Sequence, residues 1–184
     1  MIEIIDDILP ERDNNFLYNF ITREHFPWSL SPEDKIMEGY EDMCFKHKQF
    51  TSGMFGTDVN DFSNQRQSPM FDVVKSFTDV FCSHVKKPIK MLYRVKFNCQ
   101  YQDFRSSTKY NPVHVDIIDV PHISLLYYIN ESDGDTLFFK DKEIIKRVSP
   151  KKNRLVISEG PIPHCSSNPI HTELRFVLNT VVLI

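Results

Sequence analysis

Apolar residues recur along this chain in two rhythms. Ile2 to Leu9 suits a short strand, and after Pro10 the residues Phe16, Leu17, Phe20 and Ile21 fall on one helical face. Ser68-Pro69 reads as an N-cap followed by a proline at the first helical position. Met70, Val73, Val74, Phe77, Val80 and Phe81 then form an apolar stripe to about Val85, a core-facing helix ended by Pro88. Between these stretches Phe26-Pro27-Trp28 predicts a packed turn, and residues 31–67 are polar with scattered aromatics, which predicts long loops with short strands. From residue 90 the texture changes to short β-rich runs: MLYRVKFN, VHVDII, ISLLYYIN, DTLFFK, EIIKRV, RLVIS and LRFVLNTVVLI. Asp133-Gly134 predicts a hairpin turn, and Ser149-Pro150 through Asn153 another, with Asn153 left-handed. Strands at this spacing predict a β-sandwich or jelly roll behind an N-terminal helical layer.

Composition narrows the class. The 184 residues are 41% hydrophobic and 26% charged, as in an ordinary single globular domain. A net charge of −3 argues against a general polyanion binder, although a local basic patch stays open. Only 5 glycines accompany 15 phenylalanines, so a glycine-rich phosphate loop is not expected and aromatic mass for a core is ample. Cys44, Cys82, Cys99 and Cys165 are scattered without a Cys-x-x-Cys pair and read as reduced thiols. The opening MIEIIDDILPERDNNF has no basic leader and no apolar run of signal-peptide length, and no stretch suits a membrane span. The expectation is a soluble, cytoplasmic protein.

The candidate chemistry lies in the β-rich part. His114-Val115-Asp116 places an imidazole and a carboxylate at i and i+2, on one face of a strand. His164 follows the RLVIS run in Gly-Pro-Ile-Pro-His. Two imidazoles and one carboxylate with positions left open form the facial triad of non-haem iron. A His-x-Asp alone is weak, and the chain has 7 histidines. His25, His47, His84, His122 and His171 read as surface or core-edge residues; among them His122, opening the strand after the triad loop, is the best candidate for a further role. Arg175 strengthens the case. It sits inside the apolar run Leu174–Leu178, where a guanidinium is costly unless an anion meets it. That anion is either an internal Asp or Glu or the carboxylate of a ligand. Alternation puts Arg175, Val177 and Asn179 on one face of their strand, and Ser124, Leu126 and Tyr128 on one face of theirs. A Tyr128 hydroxyl and an Arg175 fork meeting at one point would bind the far carboxylate of a dicarboxylic acid.

These residues resemble the 2-oxoglutarate and Fe(II)-dependent oxygenase superfamily, in its prolyl-4-hydroxylase-like branch. The resemblance is carried by His114-Val115-Asp116, the strand Ile123–Asn130, Asp133–Phe139, Pro150–Ile157, His164 and Arg175, in the family's order, and motifs cover about Tyr93 to Thr180. It implies a double-stranded β-helix (jelly roll, cupin-like; α+β class) with N-terminal helices packed on the major sheet. It also implies one oxygenase domain over 1–184, with 1–89 as helical and loop-rich support and 90–184 as the jelly-roll core. His114, Asp116 and His164 are the implied iron ligands, Arg175 and Tyr128 the implied grip on 2-oxoglutarate, and Asn179 and Asn98 lesser contacts to it. The implied cofactors are Fe(II), 2-oxoglutarate and O2, with ascorbate as an optional reductant. The implied reaction hydroxylates an unactivated C–H bond with release of succinate and CO2, first of all at a prolyl residue of a peptide or protein. Free amino acids, small metabolites and nucleic acid remain alternative substrates, and a non-enzymatic jelly-roll binding or virion module is the alternative class.

The phrases RVKFN and YYINESDGDT are also similar to small oxygenases of bacteriophages and other viruses, which implies a viral or bacterial source. Two departures stand out. The family's short Tyr- and Gly-containing loop before His-x-Asp is replaced by the longer, glycine-free Cys99–Val113. Val181 occupies the place where the nucleic-acid demethylase branch has a second arginine, which counts against base repair. The basic cluster Lys140, Lys142, Lys146, Arg147, Lys151, Lys152 and Arg154 also contains Asp141 and Glu143, and it reads as a solvated hairpin face.

Overall fold

The computed structural model describes residues 1–31, 35–57 and 64–184. The strands form two antiparallel sheets. The major sheet runs in the order β1 (Ile2–Asp6), β9 (Arg154–Glu159), β6 (His122–Tyr128), β11 (Leu174–Leu183), β5 (Met91–Tyr101), β3 (Phe50–Thr57) and β2 (Ser29–Leu30), with β4 (Gln65–Gln67) also on β3. The minor sheet is β10 (His164–Ser166), β7 (Thr136–Lys140) and β8 (Glu143–Val148). After β6 the chain crosses to the minor sheet for β7 and β8, returns for β9, crosses again for β10 and returns for β11. That alternation makes the jelly roll.

Each central strand divides its side chains by the period of two. Val95, Phe97, Leu125, Tyr127, Leu155, Ile157, Phe176 and Leu178 point to one face of the major sheet, where they form the main core with both helices. Helix α1 (Glu11–Thr22) buries Leu17, Phe20 and Ile21 there, and α2 (Phe71–Ser83) buries Phe71, Val74 and Phe81. Phe81 stacks on Tyr127 with ring centroids 4.7 Å apart, and Phe20 meets Phe97 at 6.4 Å. Glu11 and Asp13 in the first turn of α1 complement its dipole. The helix also carries a polar pin: buried Asn14 donates to the Tyr127 hydroxyl at 2.7 Å and to the Ile129 carbonyl at 3.1 Å.

The helical stripes differ in detail from the sequence pattern. Phe16 stays half exposed, while Asn14 is buried in its stead. On α2, Val73 and Val80 face outward, and Phe71 and Thr78 are buried instead. Thr78 can turn inward because its hydroxyl donates back to the Val74 carbonyl at 3.1 Å. Helix α2 begins at Phe71, not at Pro69. Ser68 closes a turn just before it, its hydroxyl oxygen accepting from the Met70 amide at 3.2 Å.

Both expected hairpin turns prove to be crossings between sheets. Asp133-Gly134 links β6 of the major sheet to β7 of the minor sheet, and 149–153 links β8 to β9. Gly134 is required by close approach: a Cβ there would lie 2.7 Å from the Ser167 carbonyl oxygen and 3.0 Å from Arg175 Cδ. Asn153 does adopt the left-handed conformation, at φ 65°, and its side chain clamps both backbone groups of Leu9. The tight hairpin lies instead at Asp141-Lys142, both at positive φ, between β7 and β8. The run VHVDII is not a strand either. His114 makes a single bridge to His164, and the chain then bends through 116–120. Pro112 and Pro121, at either end, each remove a donor that a longer ladder would need.

Candidate metal centre and carboxylate cage

The opposite face of the major sheet looks across a cavity of about 550 Å³ toward the minor sheet. Alternation delivers its floor: Arg94, Lys96, Asn98 and Gln100 from β5, Arg175, Val177 and Asn179 from β11, and Ser124 and Leu126 from β6. Thr136 and Phe138 of β7 and His164 of β10 form the facing wall. Ile36 and Met37 belong to the rim, and the Met37 amide is tied to the Val113 carbonyl at 2.9 Å. Of the long Cys99–Val113 segment only Gln100 lines the cavity; the part after β5 supports the lining from behind, Asn111 donating to the hydroxyl of the lining residue Ser166 at 2.9 Å.

At one end His114, Asp116 and His164 converge, one ligand atom from each lying within 4.8 Å of the others. The two histidines are held as a pair by reciprocal backbone hydrogen bonds of 3.0 and 2.9 Å. Each ring donates Nδ1–H to a carbonyl two residues earlier, Pro112 for His114 and Ile162 for His164, both at 3.0 Å. A carbonyl can only accept, so Nδ1 carries the proton and a neutral ring turns its Nε2 lone pair inward. Burial, then the neighbouring His114, pull the His164 imidazole below its ordinary value, which favours that neutral form.

Asp116 arrives from the bend and not from a strand face. Its nearly buried carboxylate accepts from Arg94 Nη2 at Oδ1 and from the Ser124 hydroxyl at Oδ2. Oδ2 lies 3.7 Å from His164 Nε2. Burial opposes its charge, but Arg94, then His164 and His114, hold the carboxyl well below the usual carboxylate range. The set is two imidazoles and an ionised carboxylate. It suits a borderline divalent ion such as Fe(II) and is short of the ligands a closed structural site would need.

At the other end Arg175 is 2% exposed. It donates to Gln100 Oε1 at 2.6 Å and to the Thr136 hydroxyl at 2.8 Å, and its Nε is buried without a partner. No carboxylate pairs with it among the described residues, so the internal ion pair that the sequence left open is not formed. A buried guanidinium with two neutral acceptors and an orphaned N–H fits an incoming carboxylate. Tyr128 is near but does not line the cavity. The Arg175 guanidinium lies 5.3 Å from its ring centroid, and its hydroxyl donates to Thr136 at 2.6 Å. Tyr128 thus orders the cage from behind, whereas the sequence pattern expected its hydroxyl at the ligand point.

Asn98 lines the floor with its Oδ1 buried and unpartnered. Asn179 lies toward the triad, its Oδ1 accepting from Arg94 Nη2 at 3.4 Å. Four strand positions separate it from Arg175, about 13 Å along the strand, so the two do not grip one carboxylate. His122 is packing: its ring fills the space over Gly160, where a Cβ would come within 2.3 Å. The other expected non-ligands, His25, His47, His84 and His171, also lie off the cavity.

Arg94, Gln100, Ser124 and Thr136 were not anticipated as site residues. For β5 a signal existed, since Arg94, Lys96, Asn98 and Gln100 alternate with Val95, Phe97 and Cys99. The basic hairpin is largely neutralised: Arg147 pairs with Asp135, Lys151 and Arg154 with Asp6, and Lys152 with Glu11. All four cysteines are free thiols. Among the described residues no helix is long and apolar enough to cross a membrane.

No family model and no curated protein matches the sequence. Solved structures do match the fold. A 2OG-Fe(II) oxygenase family oxidoreductase from Burkholderia pseudomallei superposes with a TM-score of 0.70 at 9% identity, over 99% of this chain and 84% of that one. A prolyl hydroxylase from Trichoplax adhaerens, in complex with a hypoxia inducible factor peptide fragment, gives 0.60 at 13% identity over 99% and 83%. The α-ketoglutarate-dependent epimerase SnoN of nogalamycin biosynthesis gives 0.64 at 8% identity over 99% and 78%. This chain therefore has the double-stranded β-helix fold that 2-oxoglutarate-dependent oxygenases use.

Proposed function

We propose that this protein is a 2-oxoglutarate- and Fe(II)-dependent oxygenase that hydroxylates an unactivated C–H bond. The observation that carries the reading is the pairing, in one cavity, of an open His-Asp-His cluster with a buried arginine that has no carboxylate partner among the described residues. His114, Asp116 and His164 would hold the iron. Arg175, with Thr136 and Gln100, would receive the distal carboxylate of 2-oxoglutarate, and Asn98 offers a polar group between the two ends. When bound, iron, 2-oxoglutarate and dioxygen supply oxidative decarboxylation: R–H, 2-oxoglutarate and O2 give R–OH, succinate and CO2.

The protein's own part is geometric. The Nδ1–H bonds to Pro112 and Ile162 fix both imidazole tautomers. Arg94 and Ser124 keep Asp116 ionised and oriented. Tyr128 orients the Thr136 hydroxyl, which helps hold the Arg175 fork. Phe138, Leu126 and Val177 give the cavity apolar surface that excludes water from the reacting bond.

For the substrate, the prolyl residue of a peptide or protein is the first reading, supported by the Trichoplax prolyl hydroxylase fold match. The same fold serves an epimerase, so the choice rests on assay. Anaerobic titration with Fe(II) and 2-oxoglutarate should produce a weak visible charge-transfer band that requires both and fades in Arg175→Ala. A folded protein with no band would overturn the oxygenase reading. Succinate release stimulated by prolyl peptides, and not by free amino acids, would support the prolyl assignment; the reverse would replace it.

A further inference from the structure

Arg94 is a cation placed directly on a metal-ligand carboxylate. It stands on the cavity face of β5, paired in register with Val181 of β11, in the middle of the major sheet where the backbone is fixed on both sides. Its Nη2 donates to Asp116 Oδ1 and reaches Asn179 Oδ1 at 3.4 Å. The other carboxylate oxygen, Oδ2, is the one 3.7 Å from His164 Nε2. Ser124 also donates to Oδ2, but a carboxylate oxygen has two lone pairs and can serve a hydroxyl and a metal together. The two oxygens are therefore unequal before any metal arrives: one is turned to His164, and the other is taken by a guanidinium from the sheet beneath.

Taking the triad as a metal centre, as above, we propose that Arg94 is a positioning residue that confines Asp116 to ligation through Oδ2 alone. The consequence is a coordination count. A six-coordinate ion held by two imidazoles and one carboxylate oxygen has three positions open, whereas a chelating carboxylate would leave two. A bidentate keto acid and dioxygen together need three. A neutral side chain at 94 would leave Oδ1 free to turn onto the ion. Arg94 thus protects the third open position, a role distinct from holding the metal.

Mn(II) bound to the otherwise metal-free full-length protein reports this without turnover, through the relaxation it imposes on water protons. At saturating Mn(II), Arg94→Met should lose about one third of the relaxivity per bound ion, one coordinated water of three. Ser124→Ala, which leaves Oδ1 held by Arg94, should keep the wild-type value. Equal relaxivity in wild type and Arg94→Met overturns the proposal, and so does an equal fall in both variants. The infrared difference spectrum of the wild type with and without Mn(II) needs no variant. A single-oxygen carboxylate should widen the gap between the antisymmetric and symmetric stretches, and a narrowed gap overturns the proposal. A folded wild type that binds no Mn(II) or Fe(II) would instead overturn the metal-centre reading on which it rests, so the two failures are distinguishable.

Discussion

The two faces of the major sheet are drawn from the same strands and differ in everything except backbone. On the helix side Val95, Phe97, Leu125, Tyr127, Leu178 and their neighbours pack with α1 and α2 into a nearly continuous apolar core. On the cavity side Arg94, Lys96, Asn98, Gln100, Ser124 and Asn179 leave a polar floor, beside a smaller apolar cluster of Tyr128, Phe138, Val148, Val156 and Val177. One face supplies the stability and the other spends part of it, since a buried guanidinium with neutral partners and an orphaned Nε costs free energy. The division of labour follows from the side-chain period of two. A rigid sheet can hold unsatisfied polar groups on one side because the other side holds the sheet.

The sharpest way to break this comparison is to injure one face and ask whether the other notices. Phe81→Ala removes a fully buried ring from α2 and its stack on Tyr127, and should lower the unfolding free energy by about 3–5 kcal/mol. Below its melting temperature the variant should bind Mn(II) with the wild-type affinity. A large loss of metal affinity in the folded state would show that the faces are not independent.

Arg175→Met reverses the test. Affinity for 2-oxoglutarate should fall about 30-fold or more, the scale for removing one partner of a buried charged contact. Stability should change by less than about 1 kcal/mol, because losing a buried cation offsets the two acceptors left behind on Gln100 and Thr136. Isothermal titration and urea unfolding measure the two halves. A variant that keeps its 2-oxoglutarate affinity would remove Arg175 from the site.

The smallest expected effect lies at the crossing between the sheets. Asp133 accepts from the amides of Ile170, His171 and Thr172 and from the Thr172 hydroxyl. Burial raises its carboxyl, but the Thr172 hydroxyl and these amides outweigh it and hold it well below the usual range. A depressed folded-state value means that the contribution is complete above the ordinary Asp value near 4 and is lost as pH falls through the folded-state value. Asp133→Ala should therefore cost about 1.5–3 kcal/mol at neutral pH, with the gap to wild type closing in acid. A pH-independent difference would mean that the loop packs without its charge.

Much of the site was legible before any folding. The alternation in LRFVLNTVVLI put Arg175 on a buried strand, and a buried guanidinium requires an acceptor wherever the strand lies. His114, Asp116 and His164 could be collected as a donor set from the His-x-Asp spacing, the place of His164 after the RLVIS run and the family resemblance, since residue type alone does not choose among 7 histidines. Strand parity brought Tyr128 to Arg175's face, but it gives the face a residue points to and not the depth its hydroxyl reaches, and that hydroxyl donates to Thr136. Asn179 likewise shares Arg175's face yet serves Arg94 at the other end of the cavity.

By itself, then, the sequence determined the positions of most strands from residue 90, which face of each is polar, the left-handed turn at Asn153, and the chemical types gathered for the site. Only the tertiary structure decided which sheet each strand joins. Asp133-Gly134 has the composition of a hairpin turn, but β6 finds β9 and β11 as partners while β7 pairs with β8 and β10. The partners of Asp116 were also decided there, because Arg94 lies 22 residues before it and Ser124 eight after. Periodicity is a property of neighbours along the chain. Sheet membership and ligand support depend on packing between segments far apart in sequence, and local pattern carries no record of it.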